Sequence, residues 1–345
     1  MKWNDLTLRV GVLAVMAAML LRFAGSGIFG NAIGIFAQPE IASFLIYSET
    51  GRLPSPPSPG PSSPPSTAAP TDPTAAPTDL PSTTVPPIVP IEPGAAVFSE
   101  ADAQYVKFNY SCALRPDYKK LLLQKLTWDL TSDKPTVLIV HSHGTEAYTK
   151  TPDANYVGHA AFRTTDDRYN MISIGDELTR LLEAAGIHVI HDRTAHDYLD
   201  YDNAYENSRK AVQAYLKEYP SIKLVLDVHR DSLTNSDGSQ VSTSATVNGK
   251  PSAQLMYVSG SNASAIHPNW QKNLSLIEKL HVVTEKSFPG VTRPINLRAK
   301  AYNQDLSVGS LLVEVGGHGN TLEEAIAGGR KFAQTAGELL KTMTK

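Results

Sequence analysis

The chain contains a single cysteine, Cys112, among 345 residues. No intrachain disulfide can form, and a cysteine-rich zinc motif is excluded. A lone cysteine reads most simply as a small buried residue, because a thiol nucleophile needs an activating base beside it. Positive charge is not in surplus either: 31 Lys and Arg face 34 Asp and Glu, a net charge of −3. That balance removes the electrostatic basis for a nucleic-acid partner. The G-x-S-x-G turn of serine hydrolases is absent, as is a phosphate loop, so nucleotide chemistry has little support.

Long apolar runs are also missing. The most continuous, Val10 to Leu21, has twelve residues, short of the roughly 20 that span a bilayer as a helix. Thr7, Leu8 and Phe23 to Gly25 extend it if Arg9 and Arg22 snorkel to the interfaces. With no clean small-x-small cleavage site, the pattern favours an uncleaved anchor with its N-terminus inside over a cleaved signal. Residues 1–50 are thus expected to be a cytoplasmic start, a membrane anchor and a juxtamembrane segment. Fifteen of the 24 prolines lie between Leu53 and Pro93, among Ser, Thr and Ala, with only Asp72, Asp79 and Glu92 charged. Such a composition cannot bury enough apolar surface to offset its ordering entropy, so residues 51–94 are expected to be a disordered linker. In polyproline geometry it reaches roughly 120 Å. Its role would be to hold an extracytoplasmic domain away from the membrane.

From residue 95 to 345 the pattern is globular. Strands are predicted over Pro135–Val140, Ile187–Ile190, Lys223–Val228, Gln254–Ser259 and Ser310–Val315. Apolar residues at helical spacing predict helices over Tyr169–Ala185, Asn203–Tyr219, Trp270–Phe288 and Thr321–Met343, the last opened by an N-cap and early acids. Strands alternating with helices imply an α/β fold with a mostly parallel sheet flanked by helices, whose sites gather beyond the carboxyl ends of strands.

Chemistry concentrates at three of those ends. Val137-Leu-Ile-Val-His-Ser-His-Gly-Thr-Glu146 carries an H-x-x-E pair, His143 and Glu146, just past an apolar strand. One imidazole and one carboxylate so placed suit a divalent cation, most naturally Zn²⁺, with His229 as the distant third ligand. Glu314 lies within the apolar strand Leu311-Leu-Val-Glu-Val. A carboxylate is costly there unless it serves a metal or a reaction, which makes it the candidate general base. Asp166 and Asp167 compete with Glu146 for the middle position. For His141, two residues from His143, three roles stay open: support of a ligand, an alternative ligand, or stabilisation of the transition state. His188, His191 and His196 read as surface or edge histidines, and His318 either caps its loop or lines the cleft.

Five blocks, Val137–Tyr148, Tyr169–Leu178, His191–Asp197, Leu226–Ser232 and Glu314–Glu324, taken in order, resemble the stage II sporulation protein P family. The resemblance runs from about Val137 to the C-terminus. It implies a fold related to zinc-dependent N-acetylmuramoyl-L-alanine amidases and a peptidoglycan hydrolase acting on septal wall during engulfment. The bond implied is the amide between muramic acid and L-alanine, with cross-link cleavage also attributed to the family. Stage II sporulation proteins D and M are the implied partners, at the mother-cell membrane. Carried over by residue, His143 and His229 match the outer zinc ligands and Glu314 the catalytic glutamate. The middle ligand is Glu146 or Asp166, of which Glu146 fits the H-x-x-E arrangement. His141 and Arg230 are the expected helpers of the oxyanion. Competing expectations are a wall-binding scaffold with an inactive fold, and a zinc carboxypeptidase of stem peptides.

Overall fold

The computed structural model describes residues 98–126, 128 and 133–343. The expected anchor and linker, residues 1–94, lie outside the described residues. Among the described residues no helix is long and apolar enough to cross a membrane. The elements are β1 (Phe108–Ser111), α1 (Tyr118–Leu123), β2 (Val137–Val140), α2 (Met171–Ala184), β3 (Val189–His191), α3 (Ala204–Glu218) and β4 (Leu224–Asp231). They continue with β5 (Ser244–Val247), β6 (Lys250–Ala253), β7 (Leu255–Ser259), α4 (Trp270–Ser287), β8 (Ile295–Arg298), β9 (Ser310–Gly317) and α5 (Leu322–Thr342).

Seven strands form one sheet in the order β1-β8-β7-β9-β4-β2-β3, and β5 and β6 form a separate hairpin. β2, Val-Leu-Ile-Val, is buried throughout, as a strand covered on both faces must be. The sheet is mostly parallel, as expected; the exception is β7, antiparallel to β9. Its cause is visible in the chain. No helix lies between β4 and β7, so the excursion through β5 and β6 re-enters the sheet at the end where β4 left it.

The period-2 alternation of the strands sorts their chemistry. Leu224, Leu226 and Val228 of β4 and Leu311, Val313 and Val315 of β9 join the large core that includes Ile174, Leu178 and Leu182 of α2, Leu276 and Leu280 of α4, and Phe332 and Leu339 of α5. The opposite face carries Val225 of β4 against Val212 of α3, and Leu312 of β9 against Met256 and Val258 of β7. Asp227 and His229, and Glu314, continue that second face. Capping follows the sequence closely. Asn170 opens α2 by accepting from the Ile172 N–H, and Thr321 with Glu324 forms a capping box at α5. α5 lies close enough to β6 that a Cβ at Gly328 would stand 2.6 Å from the Ala253 carbonyl oxygen.

One buried pair gives the core a pH dependence. Glu278 on α4 is fully buried with neither carboxyl oxygen hydrogen-bonded, and burial pushes it up to about 9. Burial lowers the adjacent Lys279 to about 8; its Nζ donates to the Leu121 and Leu122 carbonyls and so ties α1 to α4. The folded value of Glu278 lies above the usual 4.5. Its stabilising contribution is therefore full below about pH 4.5 and is lost as pH rises towards about 9. Glu278→Gln removes that loss. It should melt above the wild type by roughly 1–3 kcal/mol equivalent at pH 8, with little difference near pH 5. Equal melting temperatures at pH 8 would mean the wild-type carboxyl reaches solvent.

Candidate active site

His229 and Glu314 are register partners on adjacent parallel strands. They share a face, and the backbone ladder holds their Cα atoms about 5 Å apart. β4 does not end at Val228, as the sequence suggests, but runs on to Asp231. The register with β9 shifts between those residues, and such an irregularity re-aims side chains beside a site. From β2, the turn after Val140 brings His143 over this face. Its ring lies 5.4 Å from that of His229, nearly perpendicular to it. Glu146 joins them, one oxygen 3.9 Å from His229 Nδ1. The four residues expected from the sequence to share a centre, His143, Glu146, His229 and Glu314, thus converge.

Partners hold His229, Glu146 and the turn that carries His143. Asp227, two residues before His229 and on the same face, accepts from His229 Nε2 at 2.7 Å and from the Ser142 backbone N–H and hydroxyl at 2.9 and 2.6 Å. Burial alone would raise the Asp227 carboxyl, but His229 and Ser142 bring it down to about 2. Burial opposes a charge on His229, and Asp227 overrides it, raising the imidazole to about 9. His143 shifts the other way: burial, then the nearby His229, lowers it below the ordinary imidazole range and leaves it neutral. Asp197 fixes the turn that carries His143, accepting from the Thr145 N–H and hydroxyl and from Arg163 at 2.5 Å. Glu314 has no such partner. Burial pushes it up to about 8, only partly offset by His229, and its Oε2 is buried without a hydrogen bond.

Two expected catalytic residues sit elsewhere. His141 is fully buried and both ring nitrogens are engaged, Nδ1 with the Val228 carbonyl at 2.8 Å and Nε2 with His191 at 2.9 Å. It follows the period of β2 onto the opposite face, against Gly175 of α2, and burial lowers it to about 3. It has no free atom for an oxyanion. Arg230 is also spent: its guanidinium donates to the Ala147 and Phe162 carbonyls, each at 3.0 Å, and stands 3.8 Å from Glu146. It holds the loop that presents Glu146 and does not line an open subsite. The rival middle ligand, Asp166, is taken by Arg168 through bonds of 2.9 and 2.6 Å. His318 is buried with its ring against Phe162, at 5.0 Å.

The sequence reading gave no role to Asp197, although it closes the block His191–Asp197, and missed Arg163, Tyr201 and Tyr205, which reach the site from distant segments and carry no motif. Tyr201 stacks on His143 at 4.8 Å, and the Arg163 guanidinium lies over the Tyr201 ring at 4.5 Å. Asp227 had a signal: a charged residue in a buried strand, two positions from a candidate ligand, must share that ligand's face.

The donor set suits a divalent cation in kind. Two imidazoles and two carboxylates meet there, and two polar atoms, His143 Nδ1 and Glu314 Oε2, are buried without hydrogen-bond partners. Among the described residues, no group of three His, Cys, Asp or Glu side chains is already closed around one point.

These features define an α/β protein with a buried His–carboxylate centre on one face of a mostly parallel sheet. Residues 95–336 match the model of the family Stage II sporulation protein P, and the chain belongs to that family. It is similar to stage II sporulation protein P of Bacillus subtilis (strain 168), 30% identical over 209 residues, covering 56% of this chain and 48% of the relative. The match thus spans about half the length of that curated relative. Solved structures with some likeness include the N-acetylmuramoyl-L-alanine amidase AmiC2 of Nostoc punctiforme, with 15% identity, 61% of this chain and 96% of that chain covered, and a TM-score of 0.35. Another is the catalytic domain of CwlV, an N-acetylmuramoyl-L-alanine amidase from Bacillus (Paenibacillus) polymyxa var. colistinus, with 17% identity, 59% and 94% covered, and a TM-score of 0.34.

Proposed function

We propose that this chain is a metal-dependent peptidoglycan hydrolase of sporulation that cleaves the amide between N-acetylmuramic acid and L-alanine. The observation that carries the reading is the meeting of His143, Glu146 and His229 beside a buried, unpaired Glu314. His143, Glu146 and His229 would hold Zn²⁺, which when bound acidifies a water and polarises a carbonyl. Glu314 accepts the proton of the attacking water and returns it to the leaving L-alanine nitrogen as the C–N bond breaks. Asp227 fixes the ring of His229, while Arg230 and Arg163 fix Glu146. In the same proposal the N-terminal segment anchors the chain in the membrane, and stage II sporulation proteins D and M act with it.

The test is mass spectrometry of products released from purified peptidoglycan by the whole chain, with zinc and with chelator. Free stem peptides and peptide-free glycan, formed only with zinc, are expected. Single amino acids would point to a carboxypeptidase. No product in either condition would point to a wall-binding scaffold.

A further inference from the structure

The hydrolysis of an amide places negative charge on its carbonyl oxygen, and a donor facing that oxygen accelerates the step. The two side chains expected to do this, His141 and Arg230, are bound up elsewhere. Arg163 is likewise occupied by Asp197 and Glu146. Of the tyrosines beside the centre, Tyr201 is largely exposed, whereas Tyr205 packs against both imidazoles. Tyr205, on the first turn of α3, lies with its ring nearly parallel to His229 at 6.1 Å and edge-on to His143 at 5.4 Å. Its hydroxyl has no hydrogen-bond partner among the described residues.

The structure invests several contacts in keeping Tyr205 there. Tyr302 packs edge-on against its ring at 5.7 Å, and Arg298 donates to the Tyr302 hydroxyl at 3.3 Å. The Asn303 amide donates to the Tyr205 carbonyl at 2.8 Å, and Arg209 of α3 pairs with Asp305 at 2.7 Å. Tyr302 and Asn303 adopt left-handed backbone, with φ of 52° and 60°. That is an uncommon conformation for a bulky side chain, and it persists only where surrounding contacts enforce it. The loop after β8 is thus strained into place behind Tyr205.

We propose that the Tyr205 hydroxyl donates a hydrogen bond to the substrate carbonyl oxygen as water adds to the carbonyl carbon. This rests on the hydrolase reading above. The water oxygen forms a bond to carbon, the carbonyl electron pair moves onto oxygen, and the water proton goes to Glu314. Tyr205 keeps its own proton throughout.

Tyr205→Phe keeps the ring contacts and removes only the hydroxyl. With the whole zinc-loaded chain and a synthetic muramoyl peptide, kcat should fall about 10²-fold with KM within about twofold. Zinc content and melting temperature should match the wild type. Affinity for a phosphinate analogue of the tetrahedral species should fall by a similar factor, and affinity for the product peptide should not. Tyr205→Ala, which also removes the ring contacts, should in addition lose zinc. A phenylalanine variant retaining more than about a third of wild-type kcat overturns the inference, as does one whose loss is explained by missing zinc. If the wild type itself cleaves nothing with zinc present, the hydrolase reading fails and this inference falls with it.

Discussion

Glu314→Gln should lower hydrolysis by about 10²–10⁴-fold, the range for removal of a general base, while leaving zinc bound and the fold at least as stable. Two observations lead to this. Glu314 is in register with His229, so its position is set by the backbone of two central strands and an isosteric amide will not move it. Its carboxyl is buried, raised to about 8, and leaves Oε2 without a partner, so the neutral amide avoids the cost of a desolvated charge. Product release, zinc stoichiometry and thermal melting, measured together, separate the roles. Undiminished hydrolysis would remove Glu314 from the chemistry. Loss of zinc would make it a ligand.

Asp227→Ala is expected to have the largest effect on stability. The carboxylate satisfies three buried donors, His229 Nε2 and the Ser142 N–H and hydroxyl. Removing it strands His229 Nε2 and the Ser142 N–H, leaves the Ser142 hydroxyl with Ser208 alone, and takes away the carboxylate nearest to His229. Breaking a buried ion pair from one side costs about 3–5 kcal/mol, on the order of 10 °C in melting temperature for a domain of this size. Zinc affinity should fall about 10–100-fold, because the ring it orients is then free to turn. Asp227→Asn restores an acceptor and should recover part of the stability. An alanine variant that melts with the wild type and binds zinc equally well would show that His229 is positioned by other means.

What was legible in the sequence follows from periodicity. The nine strands and helices read from residue 135 onward appear within a few residues of their predicted ends, because each shows its apolar spacing over a whole element. The edge strand β1, the hairpin β5–β6 and the four-residue β8 were not read; they are short, half-exposed or polar. The centre itself was visible where it lies on strands or within a few residues of one, at His143, Glu146, His229 and Glu314. The misplaced roles of His141 and Arg230 have one origin. Proximity in sequence to a ligand does not say which face of the sheet a side chain takes, or which carbonyls of a distant loop will claim it. Tyr205, and the role of Asp197, could be found only once the tertiary contacts were known.

The position of β9 has a consequence for how the molecule is made. It is the last of the described strands in chain order, yet it lies between β4 and β7, and β1 pairs with β8 across almost two hundred residues. Contacts of such long sequence separation are slow to form, because the chain entropy of closing them is lost before any pairing compensates. Until β9 has inserted, the sheet is split at its centre and Glu314 has no neighbour in His229. A partly threaded chain is therefore without the proton acceptor proposed for it, and a wall-cutting activity of that kind would arise only as β9 closes the sheet.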